Sequence, residues 1–251
     1  YKNIKKNVHL ASISGGTDVV GCLVLGNIFS KIYPGEIQGE SLGIDVDVFD
    51  EKGKSIKGNA KGELVVKKPF PTMPIKFWND SENKKFKEAY FSKYKNIWHH
   101  GDFIQRTING GFIILGRSDA TLNPGGVRLG TSEIYRQVES IDFIRESIVV
   151  GQNWNNDVRI ILFVVLNTKK NLSEYDMKLI KNKIKKNCSP KHVPFKIIPV
   201  PEIPRTKSGK IVELAVKNAI HGQKIKNLQA LANPESLVFF KKLYKTKIIN
   251  E

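Results

Sequence analysis

Apolar and acidic residues alternate from Ile44 to Phe49, which predicts a half-buried strand. Asp50 to Lys54, with Gly53, turns the chain, and Gly62 to Val66 reads as the next strand. The period then changes. Phe86, Tyr90 and Tyr94 fall on one stripe, which predicts a helix over Phe77 to Tyr94. Phe103 to Thr107 and Phe112 to Leu115 flank Asn109-Gly110-Gly111, the strongest hairpin signal in the chain. The chain up to this hairpin is therefore mostly β, joined by loops. Beyond it helix and strand patterns alternate. Thr131 to Ser140 reads as a helix, and Ser147 to Gly151 and Ile160 to Leu166 as strands. Ser173 is placed to cap a helix running to Asn187, with Glu174 and Asp176 in its first turn. Phe195 to Val200 reads as a short strand, and Lys210 to Ala219 as a final helix stopped by Gly222. The boundary falls near Arg117–Ala120 and separates a β-rich region, 1–118, from an α+β region, 119–251. The fold class is α/β in the broad sense, α+β in detail. The tail after Gly222 carries many lysines and receives no fold.

The 251 residues can bury a sizeable core, and 40% hydrophobic with 26% charged residues is ordinary for a globular protein. No run of about eighteen apolar residues occurs, so no membrane helix is expected. Cys22 and Cys188 stand far apart without a Cys/His cluster, the pattern of reduced thiols in a cytosolic protein. The first residue is Tyr1 rather than Met, so the chain is expected to begin mid-gene. Lys and Arg number 41 against 24 Asp and Glu, a formal charge of +17. Nucleic acid, small anions or mere solvated surface could each account for that excess. The lysines are scattered and lack the interleaved aromatics of a base-stacking platform, so nucleic-acid binding is not expected.

Five strings carry candidate chemistry. Ser14-Gly15-Gly16-Thr17-Asp18 puts small residues, a hydroxyl and a carboxylate on one turn. Gly allows close backbone approach to a ligand, a Thr hydroxyl can donate to a phosphate oxygen, and an Asp can hold Mg²⁺. An ordinary glycine turn would look the same. Trp98-His99-His100-Gly101-Asp102 offers a carboxylate for ribose hydroxyls. Its two histidines are adjacent, so in a strand they point to opposite faces and make a poor metal site. Gly116-Arg117-Ser118-Asp119 and Asn123-Pro124-Gly125-Gly126-Val127-Arg128 combine guanidinium forks with glycines at the boundary, suited to phosphate, ribose and a hinge, or to a plain linker. Arg205-Thr206-Lys207-Ser208-Gly209-Lys210 holds an ammonium beyond a turning Ser-Gly pair, without P-loop spacing.

In this order, and with Gly62-Glu63-Leu64 between them, the strings resemble the adenylate-forming superfamily of acyl-CoA synthetases, luciferases and peptide-synthetase adenylation domains. Pro69-Phe70-Pro71-Thr72-Met73-Pro74 and Ala120 to Gly130 are similar to its acetoacetate-activating branch. The resemblance implies that 1–118 is the C-terminal, β-rich portion of an AMP-binding large domain. It makes 119–251 a small mobile C-terminal domain with the catalytic lysine and a basic tail. It implies an ATP-, Mg²⁺- and CoA-dependent ligase of acetoacetate that passes through an acyl-adenylate. The small-molecule partners would be acetoacetate, ATP and CoA.

The same resemblance assigns roles. Gly15, Gly16 and Thr17 would bind nucleotide, with Thr17 at the α-phosphate, and Asp18 would sit near Mg²⁺. Asp102 and Arg117 would hold the ribose. Arg128 would serve the phosphates or closure. Asp119 would be the hinge. Gly125 and Gly126 would line the pantetheine path, Lys185 or Lys186 would meet a CoA phosphate, and Lys210 would be catalytic. Gly15 stands where a related branch carries a Trp that closes the acyl pocket, so the missing indole leaves room for a longer acid. Two departures stand out. Asp18 replaces the superfamily's usual Glu, and the Ser/Thr/Gly-rich phosphate loop would have to lie upstream of Tyr1, so the chain alone is expected to be incomplete for adenylation. The competing readings are a non-catalytic remnant that binds anions or a partner, and a ligase of another short acid.

Overall fold

The computed structural model of the chain describes residues 3, 5–167, 171–225, 227–246 and 249. Tyr1, on which one expectation above rests, lies outside them. The chain divides into two compact units, Tyr1–Ser118 and Asp119–Glu251. Among the described residues no helix is long and apolar enough to cross a membrane.

In the first unit β1 (Ser14–Gly16), β2 (Gly21–Leu25) and β3 (Gly39–Glu40) make a three-stranded antiparallel sheet in that order. These strands are short and glycine-bearing, and no alternation announces them. β4 (Val46–Phe49), β5 (Ala60–Val66), β6 (Trp98–Arg106) and β7 (Phe112–Arg117) make a four-stranded antiparallel sheet, also in chain order. Between β5 and β6 lies α1 (Lys84–Phe91), shorter than the stripe of aromatics predicts. Asn79 and Asn83 both take φ of 55°, which breaks the helix on its N-terminal side. The Asp80 carboxylate accepts the N–H groups of Lys85 and Phe86 at 3.2 and 2.9 Å, satisfying donors that a helix start leaves open. Phe77 packs edge-on against Phe86 and Tyr90 from outside the helix. The aromatic spacing thus records a tertiary cluster with Phe70 and Trp98 rather than one long helix.

The second unit is a three-layer sandwich. β8 (Ile144–Trp154) runs antiparallel to β9 (Asp157–Leu166), and β9 runs parallel to a strand that follows the crossover helix. α2 (Thr131–Val138) precedes β8, α3 (Glu174–Asn187) makes the crossover, and β10 (Lys196–Pro199) is the parallel strand. α4 (Glu213–Ile220) and α5 (Leu237–Lys245) complete the unit. Alternate residues of β9 go to opposite cores. Ile161, Phe163 and Val165 pack with Ala215, Val216, Ala219, Phe240 and Leu243, while Ile160, Leu162 and Val164 pack with Ile134, Val138, Ile180 and Ile184. A strand covered on both faces reads as a continuous apolar run, which is what Ile160 to Leu166 is. The predicted last helix starts three residues late, at Glu213, and α5 follows it, so the tail is not structureless.

Ser173 caps α3 as its position predicts. Its Oγ accepts the Asp176 N–H at 3.1 Å, and the Asp176 carboxylate accepts the Ser173 N–H at 3.0 Å. Ser173→Ala is expected to lower stability by about 1 kcal/mol, read as a lower urea midpoint at unchanged slope.

Candidate active site

The first unit gathers its motif residues through a register shift. From Arg106 to Ile104, β6 pairs with Phe112 to Ile114 in the register set by the three-residue loop 108–110, which Thr107 and Gly111 close. That register would set Asp102 opposite Gly116. A bulge between Phe103 and Ile104 moves the pairing by one residue, so Asp102 lies opposite Arg117. Arg117 Nη1 then donates to Asp102 Oδ1 at 2.9 Å and to the His100 carbonyl at 3.3 Å. Gly101 has φ of +83°, and a Cβ there would stand 2.7 Å from Arg117 Nη2. The positive φ favours glycine here, and a side chain would also push the guanidinium aside.

The turn after β1 approaches the same place. A Cβ on Gly16 would meet Asp18 Oδ1 at 2.0 Å and His100 Cε1 at 3.0 Å. Asp18 Oδ2 accepts the Tyr90 hydroxyl at 2.5 Å. Tyr90 stacks on Trp98 with ring centroids 3.7 Å apart, and the Trp98 indole N–H donates to His100 Nδ1 at 3.4 Å. His100 Nε2 stands 3.8 Å from Asp102 Oδ2. Burial and the hydrogen bond to Asp18 push the Tyr90 phenol well above its ordinary value, so it stays a donor at neutral pH. Thr17, Asp18 and Arg117 are exposed, while Tyr90, His100 and Asp102 are buried. The result is one exposed turn with a hydroxyl and a carboxylate beside an exposed guanidinium paired to a buried carboxylate. Such a set can donate to phosphate oxygens and accept from vicinal hydroxyls.

His99 turns to the other face, where its Nε2 lies 2.9 Å from Glu63 Oε2. In the sequence Tyr90 shows only as part of an aromatic stripe. Its contact with Asp18 spans 72 positions, and the one hint is a polar-tipped ring among phenylalanines. An open pocket of about 600 Å³ in this unit, with Met73, Phe86, Phe91 and Trp98 at its apolar side and Lys67, Lys68, Lys87 and Lys95 around it, holds neither Asp18, Asp102 nor Arg117.

Gly15 has a tighter constraint than spare acyl volume. A Cβ there would meet the Gly21 carbonyl oxygen at 2.1 Å and the Cys22 Cα at 2.7 Å, because Gly15 pairs with Cys22 across β1 and β2. Gly15→Ala is expected to destabilise the first unit by about 1–3 kcal/mol, measured by thermal or denaturant unfolding. A larger residue such as Trp at this position should disturb the β1–β2 pairing itself.

The second unit keeps its motif residues in separate places. Gly125 has φ of +58°, and a Cβ there would stand 2.7 Å from the Lys191 ammonium nitrogen. The Gly125 N–H donates to both Asp157 carboxylate oxygens at 2.9 and 3.1 Å. Backbone N–H groups of Val158 and Gly125 hold Asp157 below the usual carboxylate range. Gly126 has φ of +74°, and a Cβ there would meet nothing within 4 Å. Arg128 Nε donates to Thr121 Oγ1 at 3.2 Å. Lys185 and Lys186 lie in the exposed last turn of α3. Asp119 is exposed and opens the unit.

Lys210 is exposed at the end of a tight turn in which Arg205 pairs with Ile211. Thr206 N donates to the Lys210 carbonyl at 2.8 Å, and Lys210 N donates to Thr206 Oγ1 at 3.0 Å. Arg205 braces this turn. Its Nη1 donates to the Gly209 carbonyl at 2.7 Å and its Nη2 to Glu146 Oε2 at 3.1 Å. Nothing in the sequence singles out Arg205 or Lys191 for these places.

No protein-family model matches the chain. It is 55% identical over 247 residues to the acetoacetyl-coenzyme A synthetase of Rhizobium meliloti (strain 1021), covering 98% of this chain and 38% of that protein. It is 43% identical over 245 residues to the acetoacetyl-CoA synthetase of Xenopus tropicalis, covering 97% of this chain and 36% of that protein. A solved acetoacetyl-CoA synthetase from Streptomyces lividans superposes with a TM-score of 0.88 at 39% identity, over 94% of this chain and 36% of that one. The chain therefore spans less than two-fifths of the length of the relatives it matches.

Proposed function

We propose that this chain, which belongs to the acetoacetyl-CoA synthetase family of the adenylate-forming superfamily, carries the ribose clamp and the catalytic lysine of an acetoacetate–CoA ligase. The observation that carries the reading is the Asp102–Arg117 pair set beside the Gly-Gly-Thr-Asp turn. In the first half-reaction the acetoacetate carboxylate attacks the α-phosphorus of ATP, pyrophosphate leaves, and acetoacetyl-AMP forms. In the second the CoA thiol attacks the acyl carbon, loses its proton, and AMP leaves.

Each residue has a task in that sequence. Asp102 accepts the ribose hydroxyls, and Arg117 fixes the carboxylate that does so and adds its own ribose contact. Thr17 donates its hydroxyl to an α-phosphate oxygen. Lys210 places its ammonium between the acid and the α-phosphate, where negative charge grows in the transition state. The second unit turns about Asp119 between the two steps. Arg128 serves the phosphates or this closure, Gly125 and Gly126 line the pantetheine path, and Lys185 meets a CoA phosphate. The turns that carry Gly15 and Gly16 let the backbone approach the nucleotide.

Asp18 suits Mg²⁺. It is exposed, and the Tyr90 hydroxyl anchors it through Oδ2, an arrangement that fits an ion held by one carboxylate plus substrate phosphates and water. When bound, Mg²⁺ offsets the charge of the phosphate oxygens as pyrophosphate departs.

The test joins this chain to the part of the Rhizobium meliloti relative that it does not cover. The joined protein should release pyrophosphate from ATP only when acetoacetate is present, and AMP only when CoA is present as well. AMP release with acetate or butyrate but not acetoacetate would move the substrate to another short acid. No AMP release with any acid, from a folded protein, would leave the non-catalytic reading.

A further inference from the structure

Among the buried charged groups of the first unit, one that none of the tasks above uses is the most deeply buried. Glu63 lies on β5 and is fully buried. Its carboxylate meets side chains from three separate segments of the chain. Lys93, two residues past α1, reaches Oε1 at 2.5 Å, His99 on β6 reaches Oε2 at 2.9 Å, and the hydroxyl of Ser118, the residue after β7, donates to Oε2. Each partner is a near neighbour in sequence of a nucleotide-side residue. Lys93 follows Tyr90 on the adjoining turn, His99 precedes His100, and Ser118 follows Arg117. Adjacent residues in a strand face opposite ways. The hub therefore sits on one face of these strands while His100, Asp102 and Arg117 work on the other.

We propose that Glu63 is a positioning residue for the nucleotide, holding in register the three backbone segments that carry Tyr90, Asp102 and Arg117. The proposal rests on the reading of Asp102 and Arg117 as the ribose clamp. A buried carboxylate adds little to stability over an apolar group of its size, but it imposes direction on every donor that meets it. Here Glu63 itself pairs with Phe103 at the bulge, and the directed donors lie on the side of it where Asp102 meets Arg117. The pairing at that bulge is one residue from an alternative, so a fixed point on each of the two chains, His99 beside Asp102 and Ser118 beside Arg117, matters. Ser118 also ends the first unit, so the same carboxylate fixes the residue before Asp119.

Glu63→Gln keeps the shape and removes the charge, and Ser118→Ala removes one arm without touching charge. In the joined protein Glu63→Gln should raise KM for ATP about tenfold, the scale on which outer partners act on a site, with KM for acetoacetate and CoA little changed. Ser118→Ala should act in the same direction and less. Glu63→Asp should recover part of the loss. Equal rises in all three KM values, tracking a fall in melting temperature, would show a purely structural role and overturn the proposal. So would an unchanged KM for ATP.

A second readout needs no turnover. A structure of the 251-residue chain carrying Glu63→Gln should show the Arg117–Asp102 hydrogen bond opened. Retention of the 2.9 Å contact overturns the proposal whatever the reaction is. Failure of the unsubstituted joined protein to form AMP counts against the proposed function and leaves this geometric test standing.

Discussion

Lys210→Ala in the joined protein should slow acetoacetyl-adenylate formation by about 10²–10³-fold, and should leave thioester formation from preformed adenylate within a few-fold of the starting rate. The size follows from removing one preorganised cation from the place where charge develops on the α-phosphate. The selectivity follows from the second step, in which the adenylate already exists and the ammonium has no such charge to meet. Stability should not change. Lys210 is exposed, and the hydrogen bonds that shape its turn come from its backbone, Thr206, Arg205 and Glu146 rather than from its ammonium. Acetoacetate-dependent exchange of labelled pyrophosphate into ATP measures the first step alone. CoA-dependent consumption of synthetic acetoacetyl-AMP measures the second. Equal losses in both assays would remove Lys210 from its assigned role. Lys210→Arg should recover little, because a planar fork does not replace a point charge at one oxygen pair.

The same loop marks how far the sequence can be read. Lys210 is recognisable from its string, but not that it stands in a turn. The helical pattern from Lys210 to Ala219 holds no sign that Thr206 Oγ1 takes the Lys210 N–H and delays the helix to Glu213. Side chain to backbone bonds of this local kind compete with helix and leave no periodic trace. α5 escapes the pattern for another reason. Leu237, Phe240 and Leu243 do repeat at helical spacing, but lysines at 241, 242 and 245 and the polar stretch before them hide the stripe. Strands that alternate or run continuously apolar, such as β4 and β9, are plain, whereas β1 to β3 are held by pairing across glycines and are not. At the site, motifs name both Asp102 and Arg117. That they face each other depends on a bulge, and that Asp18 is held by Tyr90 depends on a contact 72 residues long. Spacing along the chain encodes neither.

Asp102→Ala should reduce kcat/KM for ATP by about 10²-fold, mostly through KM, because a charged acceptor for two hydroxyls is lost from a buried position. Arg117 complicates a simple reading. Its Nη1 loses the 2.9 Å partner and the guanidinium can shift, so part of any loss comes from Arg117 rather than from the missing carboxylate. A ligand-side change separates the two. With 2′,3′-dideoxy-ATP the unsubstituted joined protein should lose most of the same factor, since the hydroxyls that Asp102 accepts are gone. Asp102→Ala should then discriminate poorly between ATP and the dideoxy nucleotide, and the two losses should fail to add. Asp102→Asn, which keeps one carbonyl acceptor and the packing, should fall between. If Asp102→Ala lowers kcat/KM by the same factor for both nucleotides, Asp102 supports the fold or Arg117 and does not touch the ribose. Full additivity would also shift the nucleotide away from the β6–β7 bulge, and the Thr17 turn would have to be tested alone.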